Sequence, residues 1–207
     1  MFKVFSPNML KTYELCPKKF YLRFIKNISM PVNDEQFELG KNIHALASYY
    51  LRKENIDKME NSLTSREKYI WDYLKSIKYF SYEGIETEYN LSVKVNDYFF
   101  GGRLDALVKK DENYFILDYK TGSAPKNAKY DYQTMIYLLS VSAFYKTDNV
   151  TFVYLDLKNQ EEVIVNLTPE LAEEYRKKLS CIVEDIYKEE YKKKSINCNC
   201  EYNMICY

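Results

Sequence analysis

Apolar and polar residues alternate along much of the chain with the period of two that is typical of β-strands. Runs rich in branched and aromatic residues predict strands at 85–95, 99–108, 114–118, 150–157 and 162–167. The polar segment 109–113 separates the second and third runs, and this spacing predicts a β-hairpin.

Apolar residues at helical spacing lie on both sides of these strands in the sequence. They predict helices at 7–16, 17–25, 34–52, 65–79, 130–144 and 168–194. Ser6 and Thr168 each precede a proline, a combination typical of a helix start. Cys181 lies among apolar residues of the last helix, and we expect it to be a buried, small apolar side chain. The pattern predicts an α/β fold, with a central mixed sheet of about five strands flanked by helices.

The composition is that of an ordinary globular chain. Its 207 residues are 46% hydrophobic and 29% charged, which fits a single domain over residues 1–207. The formal net charge is zero, so any binding to nucleic acid must come from local clusters of positive charge.

The sequence offers no sign of a membrane or secretory protein. No apolar run approaches the roughly 20 residues that span a bilayer, and the segment 1–10 lacks the apolar core of a signal peptide. We therefore expect a cytoplasmic protein with no membrane partner. In that compartment, its five cysteines are expected to be metal ligands, reactive thiols or small buried groups rather than disulfides.

Two carboxylates lie inside the predicted hairpin. Asp105 and Asp118 are each embedded in an apolar strand, where a charge is costly to bury unless it is paired or binds a metal. Lys120 follows Asp118 by two residues, so both side chains should point to the same face, and we expect Asp105 to join them. Carboxylate oxygens of this kind suit Mg²⁺ or Mn²⁺. The alternative is a structural salt bridge between Lys120 and one of the aspartates.

The end of the chain is rich in cysteine. Cys198, Cys200 and Cys206 fall within nine residues, a density that favours a metal centre in a cytosolic chain. Three thiolates are an incomplete set for a four-ligand zinc or iron-sulfur site. A fourth ligand must therefore come from elsewhere in the chain.

Two motifs carry a resemblance to a known family. Gly-Arg-Leu-Asp ends at Asp105, and Asp-Tyr-Lys-Thr-Gly begins at Asp118. Together they resemble the PD-(D/E)XK nuclease superfamily, most closely its RecB-like exonuclease branch. The resemblance extends over nearly the whole chain. It implies a restriction-endonuclease-like fold and a DNA nuclease that depends on Mg²⁺ or Mn²⁺.

The resemblance also implies further residues of the metal site. The segment from Gly40 to His44 is similar to the G-x-x-x-H helix of the family, whose histidine reaches the metal. The family often carries a glutamate on the strand before the hairpin, which makes Glu88 a candidate ligand or catalytic group and Glu86 its competitor. The backbone carbonyl of Tyr119 would complete the metal ligands. Catalysis would then fall to Asp105, Asp118, Lys120 and Glu88.

A third motif of the family concerns DNA. Gln133 and Tyr137 are four residues apart on a predicted helix and are similar to the Q-x-x-x-Y motif that lies beside the nuclease site. Without the resemblance, Tyr137 would be a core residue and Gln133 a surface residue. Lys126 and Lys129 lie in the polar loop before this helix, where they could contact phosphates.

The resemblance supplies the fourth cysteine. Cys16-Pro17, followed by a basic and aromatic helix, looks like the N-terminal motif of iron-sulfur members of the family. It implies a [4Fe-4S] cluster on Cys16, Cys198, Cys200 and Cys206 that joins the N- and C-terminal ends, as in AddB-type and CRISPR-adaptation nucleases. Only one residue separates Cys198 from Cys200, where two are common, so zinc stays open as the alternative. Cys16 and residues 198–206 would form a subregion of the single domain.

These inferences point to a deoxyribonuclease that acts on single strands or duplex ends, in DNA repair, recombination or CRISPR spacer processing. Its partners would be DNA and the proteins of a recombination or CRISPR-adaptation complex. Two other classes stay open. One is a catalytically inactive DNA-binding module of the same fold, and the other is an iron-sulfur sensor protein.

Overall fold

A computed structural model describes residues 3–30, 35–188, 190–193 and 200–206, with side chains omitted at 35–38. The helices are α1 (Pro7–Leu15), α2 (Pro17–Phe20), α3 (Glu35–Leu51), α4 (Asp57–Asn61), α5 (Ser65–Ser76), α6 (Tyr132–Tyr145) and α7 (Pro169–Lys188). A π-helical turn, Tyr21–Ile25, continues α2, and short 3-10 turns lie at Lys78–Ser81 and Ala128–Tyr130. As predicted, Ser6 caps α1, since its hydroxyl accepts a hydrogen bond from the backbone of Met9.

The strands form one mixed sheet of five strands, which confirms the predicted fold class. They are β1 (Glu83–Val95), β2 (Tyr98–Lys110), β3 (Asn113–Lys120), β4 (Val150–Asp156) and β5 (Glu161–Asn166), and they lie side by side in chain order. Only β3 and β4 are parallel, because α6 crosses over between them. The other neighbours are antiparallel, including the predicted β2–β3 hairpin.

The sheet has a hydrophobic core on each face. One core packs α1, α6 and α7 against the sheet, with Leu10, Ile136 and Tyr175 among its fully buried members. The other packs α3 and α5 on the opposite face, around Leu46 and Trp71. The capping box at Thr64 and Glu67 fixes the start of α5. Within the described ranges, no helix is both long and apolar enough to cross a membrane.

Three details differ from the sequence predictions. The segment 17–25 is not one regular helix, because it changes from α2 to the π-helical turn at Tyr21. The last helix was predicted to reach residue 194, but residues 190–193 are not helical. Cys181 is exposed rather than buried, because it lies on the outer face of α7 between the buried positions Leu179 and Val183.

Candidate active site

The first feature of the site is a break in strand β1. Glu88 has a φ of 51°, a left-handed conformation that is unfavourable for a residue other than glycine. On one side of it, Thr87 accepts a hydrogen bond from Ser48 of α3, at 2.8 Å. On the other side, Tyr89 packs with the opposite core, against α6. The regular alternation of faces is therefore interrupted at Glu88.

Strand β2 is interrupted at the same level. Leu104 belongs to the core under α1, α6 and α7, whereas Ala106 belongs to the core under α3 and α5. In a regular strand these two residues would share a face. The change falls at Asp105. Thr87 pairs with Ala106 and Tyr89 pairs with Leu104, so Glu88 and Asp105 both lie between these two pairs. Both acidic residues thus sit at one local irregularity of the sheet.

Three potential metal ligands converge at this irregularity. One ligand atom each from His44, Glu88 and Asp105 can be chosen so that all three lie within 4.8 Å of one another. His44 Nδ1 is 3.4 Å from Asp105 Oδ1 and 3.8 Å from Glu88 Oε1. On the other side of the ring, His44 Nε2 lies 3.1 Å from the carbonyl oxygen of Tyr119. We call His44, Glu88 and Asp105 the outer group.

Electrostatics within the outer group favour a positive charge at its centre. Burial lowers the pKa of His44, but the hydrogen bond and charge of Asp105 and the carbonyl of Tyr119 raise it more, so the net pKa lies above its usual value. Asp105 is held in place from the backbone, since the amide of Tyr119 donates to its Oδ2 atom at 3.0 Å. The two carboxylates of the group are thus aimed at one small volume beside the imidazole.

A second set of side chains, the inner group, lies beside the outer one. It consists of Asp118 and Lys120 on β3 and Gln133 on α6. Lys120 Nζ is 2.7 Å from Asp118 Oδ2 and donates to Gln133 Oε1 at 3.1 Å. Gln133 Nε2 donates to the other oxygen of Asp118, at 2.5 Å. Asp118 is only 2% exposed, and burial and the charge of Asp105 raise its pKa to about 6, although Lys120 opposes the shift.

The structure therefore places the three predicted groups of the hairpin in two different settings. Asp118 and Lys120 lie on one face of β3, as their spacing predicts. Asp105 lies at the irregularity in β2, where it contacts His44 of α3. The Asp105 carboxylate also lies near Asp118, since its Oδ2 atom accepts a hydrogen bond from the amide of the adjacent Tyr119 at 3.0 Å.

Helix α6 packs against the strands that carry the site. Asp131 caps the helix, accepting a hydrogen bond from the backbone of Gln133 at 2.8 Å. Tyr137 is buried, and its hydroxyl donates to the carbonyl of Arg103 at 2.8 Å. A Cβ atom at Gly102 would lie 2.7 Å from that hydroxyl, so this close packing requires glycine. Tyr137 holds the β2 backbone here, and its direct contact with DNA stays a prediction.

A cleft of about 700 Å³ opens onto the outer group. Its wall includes His44 and Glu88 and continues along α3 and to Arg103 of β2. Arg103 is 64% exposed, and its Nε atom pairs with Glu88 at 2.9 Å. Lys126 and Lys129 are exposed on the loop between β3 and α6, and their contact with phosphates stays a prediction.

The donors of the site fit a hard divalent cation. The outer group offers carboxylate oxygens and an imidazole nitrogen, a set compatible with Mg²⁺ or Mn²⁺. In addition, Oδ2 of the buried Asp118 accepts no hydrogen bond from the described residues, although Lys120 lies beside it. The ammonium of Lys120 offsets the charge of this oxygen without an aligned hydrogen bond, and a cation between Asp105 and Asp118 would give the oxygen a direct partner.

The predicted cysteine site is described only in part. Cys206 is buried in a small cluster with Leu22 and Tyr202, and Cys200 packs against that cluster. Cys16 is half-buried at the junction of α1 and α2. The fourth residue, Cys198, lies outside the described residues. The hydroxyl of Tyr202 donates to the carbonyl of Ile28 at 2.8 Å, so the C-terminal segment does pack on the N-terminal one.

Sequence reasoning missed two parts of the site. The left-handed backbone at Glu88 leaves no trace in the residue pattern, because glutamate rarely adopts that conformation. The cleft also went unrecognised, although its lining residues His44 and Ser48 of α3 and Arg52, the residue after that helix, recur at intervals of four. That spacing was the one available signal.

The chain is similar to known proteins in sequence and in fold. Over 116 residues, the chain is 29% identical to "CRISPR-associated exonuclease Cas4" of Francisella tularensis subsp. novicida. That match covers 54% of this chain, and the chain spans 58% of the length of that relative. A crystal structure named "Putative exonuclease", from Eubacterium rectale, has the same fold, with a TM-score of 0.64 and 10% identity over 97% of this chain and 88% of the other. The family model of the PD-(D/E)XK nuclease superfamily matches residues 4–207, and the chain belongs to that superfamily.

Proposed function

We propose that this protein is a divalent-metal-dependent DNA nuclease that hydrolyses phosphodiester bonds. The observation that carries the proposal is the convergence of His44, Glu88 and Asp105 within 4.8 Å of one another, next to the buried pair of Asp118 and Lys120. Membership of the nuclease superfamily supports the same reaction class. The cleft in front of these residues gives a substrate access to them.

The ligands proposed for Mg²⁺ or Mn²⁺ are His44, Asp105, Asp118 and the carbonyl of Tyr119, with Glu88 as a further carboxylate. A bound ion of this kind polarises the scissile phosphate and lowers the pKa of a nearby water. The carboxylates and the imidazole hold the site in a geometry that exists before the substrate arrives. Little reorganisation is then needed during the reaction.

Lys120 is the proposed catalytic cation. Its ammonium is held by Asp118 at 2.7 Å and by Gln133 at 3.1 Å, and its side chain is partly exposed. An ammonium with three donors can bind both a carboxylate and an incoming water, and so orient that water for attack at phosphorus. Gln133 would act as a positioning residue, because it fixes the carboxylate and the ammonium relative to each other.

The proposed substrate is a single strand or a frayed DNA end. A cleft of about 700 Å³ suits a few unpaired nucleotides better than a duplex. The name of the Francisella relative is that of a CRISPR-associated exonuclease, which favours digestion from an end. A role in CRISPR spacer processing and a role in repair or recombination both fit this activity, with DNA and the proteins of those pathways as partners.

We also propose that Cys16, Cys198, Cys200 and Cys206 hold a [4Fe-4S] cluster, with zinc as the alternative. The packing of Tyr202 and Cys206 against Leu22 supports a site at this junction of the two chain ends. Its proposed role is structural, because linking distant segments of a chain through one metal site removes loop entropy from the unfolded state. Metal and sulfide analysis of anaerobically purified protein would distinguish iron-sulfur from zinc.

The test of nuclease activity uses three DNA substrates with Mg²⁺, Mn²⁺ or a chelator. They are a linear single strand labelled at either end, the same strand with one end blocked, and a circular single strand. We expect digestion of the linear strand with either metal, no digestion with the chelator, and survival of the circle. Blocking one end should prevent digestion and so reveal its polarity.

The matched variant is Asp118→Asn, which should abolish digestion while the protein still binds the strand. A protein that binds DNA but digests none of these substrates with either metal would be the inactive module, and the proposal would be wrong. Equal digestion by the wild type and by Asp118→Asn would show a contaminating nuclease. That result would also overturn the proposal.

A further inference from the structure

One face of α3 forms a wall of the cleft over most of the length of the helix. The cleft-lining residues of α3 recur at helical spacing and are Gly40, Lys41, His44, Ala45, Ser48 and Tyr49, and Arg52 lines the cleft just after the end of the helix. The helix and the residue after it therefore carry the imidazole of the outer group near one end of the cleft and an aromatic and basic pair near the other.

The aromatic and basic pair is Tyr49 with Arg52. The guanidinium of Arg52 lies over the tyrosine ring, 4.8 Å from its centroid, and is itself held by Glu54 at 2.7 Å. Tyr49 is nevertheless 37% exposed and contributes to the cleft wall. A ring fixed by a cation and open to a cleft presents a flat surface on which an unpaired base can stack.

The position of the ring matches the spacing of nucleotides. Tyr49 follows His44 by five residues, which at about 1.5 Å per residue is about 7.5 Å along the helix axis. Stacked nucleotides of one strand are about 3.4 Å apart. A strand that lies along α3 with its scissile phosphate at the outer group would therefore bring a base onto Tyr49 about two nucleotides away.

We propose that Tyr49 is a base-stacking platform that makes the cleft selective for unpaired nucleotides. This inference rests on the proposed function and extends it to a particular substrate contact. Arg52 keeps the ring in position, and Arg103 on the opposite wall supplies a positive charge near the phosphates. Bases of a duplex stack on each other and present no free face to the ring, so stacking on Tyr49 selects single strands or frayed ends.

The experiment measures binding of a short single-stranded oligonucleotide in the presence of a chelator, so that hydrolysis plays no part. Stacking of one base on an aromatic residue is worth about 1–3 kcal/mol. Tyr49→Leu should therefore weaken binding by about tenfold, whereas Tyr49→Phe and Tyr49→Trp should bind like the wild type. The control is Tyr69→Leu, which removes a tyrosine that is 65% exposed on α5, outside the cleft wall, and should leave binding unchanged.

Oligonucleotides with a single abasic site separate stacking from a general loss of structure. When the abasic site is placed at successive positions along the strand, it should weaken binding of the wild type at one of them. At that position it should have no effect on Tyr49→Leu, because the contact is already absent. The salt dependence of binding should be the same in both proteins, since Tyr49 carries no charge.

Equal binding by Tyr49→Leu and wild type would overturn the inference. So would a loss in Tyr49→Leu that is the same for intact and abasic strands. Digestion of DNA together with either of these results would leave the nuclease proposal standing. Conversely, the protein could digest no DNA and still show binding that depends on Tyr49 and on the base at one position. That result would support the stacking role of Tyr49 and contradict the proposed nuclease activity.

Discussion

The inner and outer groups of the site contain similar side chains, but their charges are balanced in different ways. In the inner group, the carboxylate of Asp118 is buried and is matched by Lys120 and Gln133. In the outer group, Glu88 lines the cleft and pairs with the exposed Arg103, and Asp105 lies beside His44. In the inner group, Lys120 already offsets the buried charge, whereas the outer group has two carboxylates that converge on one small volume.

The two groups are therefore expected to have different roles. A buried, paired charge contributes to the fold as well as to the reaction, because removing its partner leaves an uncompensated charge. Partly exposed carboxylates that converge on one point contribute little to the fold, and a bound cation would offset their mutual repulsion. We therefore expect changes in the inner group to affect stability and activity together, and changes in the outer group to affect mainly metal binding.

The largest effect is expected from Lys120→Met. The substitution leaves Asp118 buried without its cation, so the free energy of unfolding should fall by about 3 kcal/mol. Activity should fall by about 10²–10³-fold. Urea unfolding at neutral pH and the digestion assay measure the two effects. Arg103→Met is the matched control, because the pair it breaks is exposed and is worth at most about 1 kcal/mol. Equal losses of stability in both variants would contradict the contrast between the groups.

The next effect is stabilisation by the metal itself. Mn²⁺ at about 100 times its dissociation constant should raise the free energy of unfolding by about 2.7 kcal/mol. For a chain of this size, that is an increase of about 5–10 °C in the melting temperature. Asp105→Asn should lose most of the increase, whereas Asp72→Asn, which alters a surface carboxylate on α5, should keep it. An unchanged increase in Asp105→Asn would place the metal elsewhere.

Gln133→Leu should have a smaller effect, on metal affinity. The substitution removes both hydrogen bonds that align Asp118 with Lys120. Groups that orient a metal ligand are typically worth about 10–100-fold in affinity or activity. A titration of activity with Mn²⁺ should therefore require more metal for half-saturation. Ser142→Ala, on the same helix, removes only an exposed hydrogen bond to Asp148 and should change the half-saturating concentration much less.

The smallest effect concerns the strained backbone at Glu88. Glu88→Ala and Glu88→Gly both remove the carboxylate and should weaken metal binding equally. Glycine adopts a left-handed conformation without strain, so Glu88→Gly should be more stable than Glu88→Ala by about 1 kcal/mol. At the neighbouring Thr87 the order should reverse, because glycine weakens a regular strand. If alanine is the more stable substitution at both positions, the backbone at Glu88 is not strained.

Much of the fold and part of the site could be predicted from local patterns in the sequence. The hairpin that carries Asp105 and Asp118 follows from alternating apolar residues and a polar turn. The proximity of Asp118 and Lys120 follows from the period of two along β3. The position of His44 came from the resemblance to a family, since nothing local places that helix near β2.

The remaining features depend on contacts between distant segments. Asp105 meets His44 and Glu88 where two neighbouring strands are irregular at the same level, and neither strand shows this irregularity in its own sequence. Gln133 links Asp118 to Lys120 because α6 crosses the sheet at that point. The cleft likewise cannot be predicted from either element alone, because residues of both α3 and β2 line it.

The crowding of Tyr137 against Gly102 links two positions that are far apart in the sequence. Any side chain at 102 would occupy the space of the tyrosine hydroxyl, which in turn fixes the carbonyl of Arg103. The two positions can therefore change only as a pair, with a larger residue at 102 accepted when the residue at 137 becomes smaller. A search for stabilised or altered variants should randomise both positions together, because single changes at 102 would discard otherwise useful combinations.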